Sequence, residues 1–451
     1  MTKLLEIADL DIVSESIVDA SGRVFYYQGR VLRVIYDVSQ AKFYTQLLKQ
    51  PWIEGMFRAG LIETWVADDL AVVGAPLVLE HRRLPFDTHP VESTDHMHWK
   101  MAVSFIKLVM ELSRRGVFVK DAHPWNIMLG KGDVKFIDFG SLTQDEIDVK
   151  AWLNEFYTYF VVPIWLSSSR WRRFSKLYRR EHLAGFGIMV FQSAVLKKWI
   201  WGRIFSLHRK GRSVGEILSG IYMWLECKQP KEMAGGRWVD YEQNHGVGEA
   251  IYPVTTKQKF IFDVLTEMRP EKVLDCAANK GFYSEMAASF GADVVAFDYE
   301  EACVDNCFNL AWKKQLTIIS VWMDFCQPTP RYGLGLCGRD SFSRFRSDLV
   351  LALGLVHHLC LVQRFPVELF CDICMLYSVS GIIIEYVDPE DVHVREWSVE
   401  IPPDYSQQNF LNYFQRKKWY LSHKVDMNED GLKRSMLYLL KYDISTSENF
   451  H

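Results

Sequence analysis

Three groups of residues in this chain of 451 could do chemistry. The first lies in VLDCAANKGFYS, residues 273–284, where Asp275 stands in an apolar run, the small residues Ala277 and Asn279 follow, and Gly281 opens a helical pattern. A strand, a tight turn and a helix start aim backbone N–H groups at a ligand and let it approach the main chain. A second acid, Asp298, closes the strand-like VVAFD, and a carboxylate at the end of a second strand suits the hydroxyls of a ribose. A dinucleotide turn wants three glycines and this one has Gly281 alone, so a pyrophosphate is poorly served and the cofactor's identity stays open. The second group is His357 and His358, which close DLVLALGLVHHL, and imidazole takes a proton near neutral pH. The third is Asp121, Asn126 and Asp138 in VKDAHPWNIMLGKGDVKFIDFGSL.

The elements that must hold the first two groups read as strands alternating with helices. Strands are expected at 273–278, 294–298, 317–324, 348–355 and 381–387, and that alternation predicts a doubly wound, mostly parallel sheet. WYLSHKV and SMLYLLKY, with a polar turn between them, predict an antiparallel hairpin at one edge. Ligands of such sheets bind at the carboxyl ends of the strands. Asp275, Asp298, Asp324, His357, His358 and Glu385 all fall at or just past such ends. Glu385 and Asp388 could equally cap the following helix.

The 273–284 stretch resembles the first motif of class I S-adenosylmethionine-dependent methyltransferases, which have a Rossmann-like α/β fold and bind no pyrophosphate. The resemblance puts Asp298 at the ribose-binding acid and Asp324, in SVWMDF, near the adenine. It places Asp275, Ala277, Asn279 and Gly281 in the cofactor-binding turn. DLVLALGLVHHL and GIIIEYVDPED at 381–391 are similar to one subfamily, the NoeA-like nodulation-protein methyltransferases, and this similarity runs to the C-terminus. It implies S-adenosylmethionine as cofactor and a glycan or biosynthetic small molecule as acceptor. Methyl transfer then asks for in-line approach and removal of a proton, which His357 or His358 could take. The alternative for either histidine is a buried structural hydrogen-bonder.

The third group resembles a protein-kinase catalytic loop, with Lys120 and Val119 in place of the usual arginine and histidine. That resemblance makes Asp121 the acid that accepts a hydroxyl proton, and Asn126 and Asp138 the holders of magnesium on ATP. NIML and VKFID flank a GKGD turn as a strand pair. Upstream, 21–36 predicts a hairpin turning at Gly29, AKFYTQLLKQ a helix, 70–86 one or two strands, and 99–115 a long helix. No glycine-rich phosphate loop stands there, and Arg33 is the cation nearest the place of the strand lysine. Two readings follow for this α+β kinase-like half: a divergent kinase for a small molecule, or a kinase-like fold that binds acceptor without turnover.

Length predicts two or three domains of about 100 to 200 residues each, taken as 1–235, a glycine-rich polar linker at 236–250, and 251–451. Hydrophobic content of 49% and charged content of 24% are those of a globular protein. A net charge of -4 gives no global pull toward nucleic acid or membrane. The opening MTKLLEIADLDIV carries acids within its apolar run, which argues against a leader and for a cytoplasmic protein. Eight of nine cysteines follow residue 270, mostly in apolar runs that suit reduced core thiols; Cys303, Cys307, Cys371 and Cys374 lack the turns of a zinc ribbon. Basic, aromatic stretches at 170–180 and 197–212 read first as the solvated side of lobe helices, and alternatively as contact with an anionic surface.

Overall fold

The computed structural model describes residues 2–13, 16, 22–181, 193–230, 253–428 and 431–442. The chain forms two compact units, 1–232 with 331–338, and 233–330 with 339–451. The expected linker at 236–250 lies outside the described residues.

In the first unit, β1 (Asp11–Ile12), β2 (Gly22–Tyr27) and β3 (Arg30–Ile35) precede helix α1 (Val38–Leu48), and β4 (Thr64–Val66) and β5 (Leu77–His81) follow it. They form one antiparallel sheet in the order β1-β2-β3-β5-β4. The expected hairpin is β2–β3, with Tyr27 opposite Arg30. Gln28 (φ 46°) and Gly29 (φ 81°) make the two-residue loop, and positive φ at both positions matches the right-handed twist of the strands. The 70–86 stretch gives two strands, β5 and Leu70–Val72, the latter pairing with Lys3–Leu5.

The long helix α2 (Asp95–Ser113) is capped by Thr94, whose hydroxyl accepts from the Met97 amide. Strands β6 (Ile127–Leu129) and β7 (Val134–Phe136) pair antiparallel, as NIML and VKFID predict. Helices α3 (Val149–Phe156), α4 (Val162–Ser167), α5 (Arg172–Glu181), α6 (Ala194–Arg209) and α7 (Val214–Glu226) complete this unit. The basic residues of α5 do not all face water. Arg179 is buried and Arg172 half-buried, both bonded to Asp95 of α2, while Trp171, Phe174 and Leu177 are exposed. Asp95 supplies the reason: a fully buried carboxylate must be paired, and these guanidinium groups pair it.

The second unit opens with α8 (Thr256–Met268) and continues with β8 (Lys272–Cys276), α9 (Phe282–Ser289), β9 (Asp293–Asp298), α10 (Glu301–Lys314) and β10 (Ile318–Trp322). Then come β11 (Ser347–Ala352), α11 (Val367–Tyr377), β12 (Ser378–Val387), α12 (Val392–Glu396), α13 (Gln407–Arg416), β13 (Trp419–Met427) and β14 (Arg434–Lys441). The sheet runs β10-β9-β8-β11-β12-β14-β13; the first five strands are parallel and the closing hairpin is antiparallel. This is the doubly wound, mostly parallel sheet expected from the alternation. Both faces of the sheet are covered, since the adjacent pairs Val273 and Leu274, Leu349 and Val350, and Ile382 and Ile383 are all fully buried, and the strands read as unbroken apolar runs. Cys371 and Cys374 are buried in α11, and burial pushes both thiols up, which keeps them protonated. Among the described residues no helix is long and apolar enough to cross a membrane.

Candidate functional site

The second unit's site is built at the carboxyl ends of β8 and its neighbours. Between β8 and α9 the backbone turns through Ala277 (φ 59°), Asn279 (φ 49°) and Gly281 (φ 87°). The left-handed region is costly for residues with a Cβ, so something must hold Ala277 and Asn279 there. Asp298, the last residue of β9, does part of this. Its Oδ2 accepts from the Asn279 amide at 3.1 Å and its Oδ1 from the Glu300 amide at 2.8 Å. Gly281 is required twice over: its φ is left-handed, and a Cβ there would lie 2.6 Å from Cys307 Sγ on α10.

Asp298 is buried, and burial pushes its carboxyl up to about 6 against the backbone amides that pull it down. Asp275 lies inside β8, one residue before its end, and accepts from the Ser284 hydroxyl of α9 at 2.6 Å. That bond ties strand to helix on either side of the turn. Asp324 falls two residues past the end of β10, where its Oδ1 accepts from the Cys326 amide at 2.8 Å and closes a tight bend.

Beyond β11, Gly354 (φ 61°) turns the chain into His357 and a π-helix at His358–Val362. The His357 and His358 rings lie 4.1 Å apart, and Trp397, just past α12, stacks parallel on His357 at 5.4 Å and lies tilted 4.8 Å from His358. His357 is buried and its Nδ1 has no hydrogen-bond partner among the described residues. Burial, then the neighbouring His358, pushes its imidazole down to about 2. His357 is therefore neutral at ordinary pH and can accept a hydrogen bond from a hydroxyl, although it holds a full proton weakly. His358 is half-buried.

Glu385 does not cap a helix; Asp391 does, accepting from the His393 amide at the start of α12. Glu385 points into a buried charge cluster instead. Its Oε2 meets Lys257 Nζ of α8 at 2.7 Å and its Oε1 meets Arg434 Nη1 of β14 at 3.2 Å, while Arg434 Nε also reaches Asp391 at 3.2 Å. Lys257 lies over the Tyr283 ring, 5.0 Å from its centroid, and a Cβ on Gly354 would stand 3.8 Å from Glu385 Oε2. Contacts thus run from the helix after the cofactor-type turn, through Tyr283, Lys257 and Glu385, to the loop that carries the histidines. Lys257, Tyr283, Trp397 and Arg434 escape sequence reasoning because each acts through partners far away in the chain.

In the first unit, each member of the expected trio is bonded within or beside the segment 118–143. The Ile137 amide donates to the Asn126 carbonyl at 2.9 Å. The Ser141 hydroxyl lies 3.3 Å from Asp121 Oδ2 and accepts from the Asp121 amide at 3.0 Å. Asp138, at the start of the turn Phe139–Ser141, pairs with Arg33 Nη2 of β3 at 2.8 Å. Arg33 is buried, and its Nε donates to His81 Nε2 at 3.3 Å; burial first and the Arg33 charge second hold His81 neutral as an acceptor. A Cβ on Gly140 would fall 2.1 Å from Arg33 Nη1, so the glycine of the DFG leaves room for this guanidinium. Asp121 also lines an open cleft of about 680 Å³ with Lys120, Asp148, Glu155 and Tyr159. Burial, and less strongly the Asp121 charge, pushes Glu155 up while the Ala122 amide donates to it.

Nodulation protein NoeA of Rhizobium meliloti (strain 1021) is 24% identical over an alignment of 448 positions that covers 90% of this chain and 91% of that protein. The chain is a homologue of NoeA. No family model matches it. Among solved structures, magnesium protoporphyrin IX methyltransferase (ChlM) from Synechocystis PCC 6803 with bound SAM aligns at 13% identity over 45% of this chain and 89% of that one, with a TM-score of 0.31. The bifunctional kinase-methyltransferase WbdD aligns at 19% identity over 41% of this chain and 38% of that one, with a TM-score of 0.30. The NoeA match spans both units, since 90% of the chain cannot be drawn from one of them.

Proposed function

We propose that the second unit is an S-adenosylmethionine-dependent methyltransferase that acts on a glycan or a biosynthetic small molecule. The observation that carries this is Asp298, a buried carboxylate closing β9 and bonded to the amide of Asn279 in the left-handed turn after β8. Such an acid accepts ribose hydroxyls, and a turn without a pyrophosphate cradle suits a nucleoside whose third arm is an amino acid. The orphaned Nδ1 of His357 and the small residues of the turn fit that group. Asp298, Asn279 and Gly281 would hold the nucleoside, with Asp324 beside the base. The cofactor supplies an electrophilic methyl group when bound. The chain's own task is to orient the acceptor and receive its proton; we assign a hydrogen bond from the acceptor to the neutral His357 and receipt of the proton to the half-buried His358. The acceptor class follows the resemblance to NoeA-like methyltransferases.

Calorimetric titration of S-adenosylmethionine into the protein tests this. Binding is expected in the wild type and weaker by about ten- to a hundredfold in Asp298→Asn, the worth of a hydrogen bond to a charged acceptor. No binding by the wild type would sink the proposal. The pH dependence has a definite sign. With its folded pKa raised from 3.8 to about 6, Asp298 favours the proton in the folded state, so its contribution to stability is lost as pH rises through that window. Ribose hydroxyls donate to the carboxylate, so cofactor affinity should rise as pH passes about 6, and that rise should vanish in Asp298→Asn.

A second reading concerns the first unit. The spacing of Asp121, Asn126 and Asp138 along the β6–β7 segment favours a kinase-like site for ATP and magnesium, and Arg33, paired with Asp138, would stand in for the kinase lysine. ATP titrated with and without magnesium separates a nucleotide site from an acceptor-binding module. Magnesium-dependent binding that Asp138→Ala abolishes is the expected result, and no ATP binding under either condition leaves acceptor binding as the unit's role.

A further inference from the structure

Helix α5 is assembled with its polar side inward. Ser175 donates to Asp95 Oδ1 at 2.8 Å and to the Pro163 carbonyl of α4 at 3.1 Å. Arg172 Nε meets Asp95 Oδ2 at 3.2 Å, and Arg179 meets Asp95 Oδ1 at 2.8 Å and the Ser93 and Thr94 carbonyls at 2.7 and 2.9 Å. With residues 172, 175 and 179 committed to the interior, helical spacing turns 171, 174 and 177 outward together. Trp171, Phe174 and Leu177 are 42%, 36% and 52% exposed. A helix of a soluble lobe ordinarily buries such a stripe and exposes its arginines.

The stripe is set among cations. Arg170 lies over the Trp171 ring at 5.3 Å and Arg173 over the Phe174 ring at 5.1 Å. Helix α6 adds Trp199, 70% exposed, and Val195, 78% exposed, with Lys198 between them in sequence. Trp199 meets Trp165 of α4 edge-on at 5.3 Å, so α5 and α6 both rest on α4. No acidic residue occurs at 167–180 or 193–215, in a chain whose net charge is -4. Positive charge is therefore concentrated where apolar rings are exposed.

We propose that the outward face of α5 together with the preceding Trp171 docks the protein on an anionic lipid bilayer, with Val195 and Trp199 of α6 as a second contact. Indole and phenyl rings settle at the headgroup level while arginine and lysine stems carry their charges to the phosphates, so rings and cations on one face satisfy both layers of the interface. Single-stranded nucleic acid also uses rings and cations, but by stacking bases on the rings. Leu177 and Val195 gain nothing from bases and do gain from the acyl boundary, which decides for lipid. The surface belongs wholly to the first unit and rests on neither reading of the catalytic sites.

Co-sedimentation of the full chain with vesicles tests this, comparing phosphatidylcholine–phosphatidylglycerol mixtures with phosphatidylcholine alone. The wild type is expected to bind the anionic vesicles at least about tenfold more tightly, with binding that weakens as salt is added. The triple variant Trp171→Ser, Phe174→Ser, Leu177→Ser alters exposed side chains alone and should melt like the wild type, yet lose about tenfold or more in vesicle binding. Arg170→Glu with Arg173→Glu should abolish the preference for anionic lipid. Wild-type protein that stays in the supernatant with both vesicle types overturns the proposal, as does a triple variant that binds like wild type. So does self-association, or binding to a single-stranded oligonucleotide, that the triple variant removes while vesicle binding is absent.

Discussion

Replacing Glu385 with alanine is expected to destabilise the second unit by about 3–5 kcal/mol, the cost of leaving buried charge without its partner. Glu385 is 1% exposed and joins Lys257 of α8 to Arg434 of β14. Removing it takes the shared carboxylate from both cations, while Asp391 stays bonded to Arg434. Burial by itself would raise the Glu385 carboxyl, but the Lys257 and Arg434 charges and the Lys257 hydrogen bond outweigh burial and hold it down at about 2. A folded pKa below the ordinary 4.5 means that the stabilisation is present above 4.5 and is lost as pH falls from there toward 2. Urea unfolding of the wild type and the variant measures the difference. Glu385→Gln, which keeps the acceptor and loses the charge, should fall between them. A Glu385→Ala midpoint and slope equal to wild type would mean that the cations find other partners and that the cluster does not hold the sheet to α8.

The corresponding experiment in the first unit is Asp95→Ala, with an expected loss of about 3–4 kcal/mol. The Asp95 side chain has no exposure and accepts from Ser175, Arg172 and Arg179. Arg179 keeps the Ser93 and Thr94 carbonyls in the variant, which places the loss below the top of the usual range for a broken buried pair. The measurement is unfolding of the first unit together with limited proteolysis near α5, because the lost contacts are those that fix this helix on α2 and α4. Faster cleavage there with a lowered midpoint is the expected pair of results. A lowered midpoint with α5 still resistant would show that Asp95 stabilises α2 and not the orientation of α5.

The two units differ little in how far their strands and helices could be read from sequence, because both signals are local. Alternation around Gly29 placed the first hairpin to within a residue or two at its ends, and the five parallel strands followed from apolar runs bounded by helices. The acids and histidines at the carboxyl ends came from the same local reading. What could not be read are contacts between residues far apart in the chain. Lys257 and Glu385 are 128 positions apart, and Arg33 and Asp138 are 105 apart. Nothing near Glu385 separates a helix cap from a buried ion pair, and Trp397 sits in a polar stretch with no periodic signal. The arginines of α5 were read as solvated because composition cannot reveal a buried acid 77 and 84 positions away.

The turn at 277–281 has a further consequence. A glycine-rich loop in the left-handed region wanders before its ligand arrives and must be ordered on binding, whereas Ala277 and Asn279 have few other conformations open to them once Asp298 grips the backbone. The entropy of shaping this loop is lost at folding and not at binding. Under the proposed function, recognition at this turn would be a matter of fit to a mould already set. On that proposal, a cofactor analogue with extra bulk against the turn should bind more weakly, since this backbone has little freedom to yield.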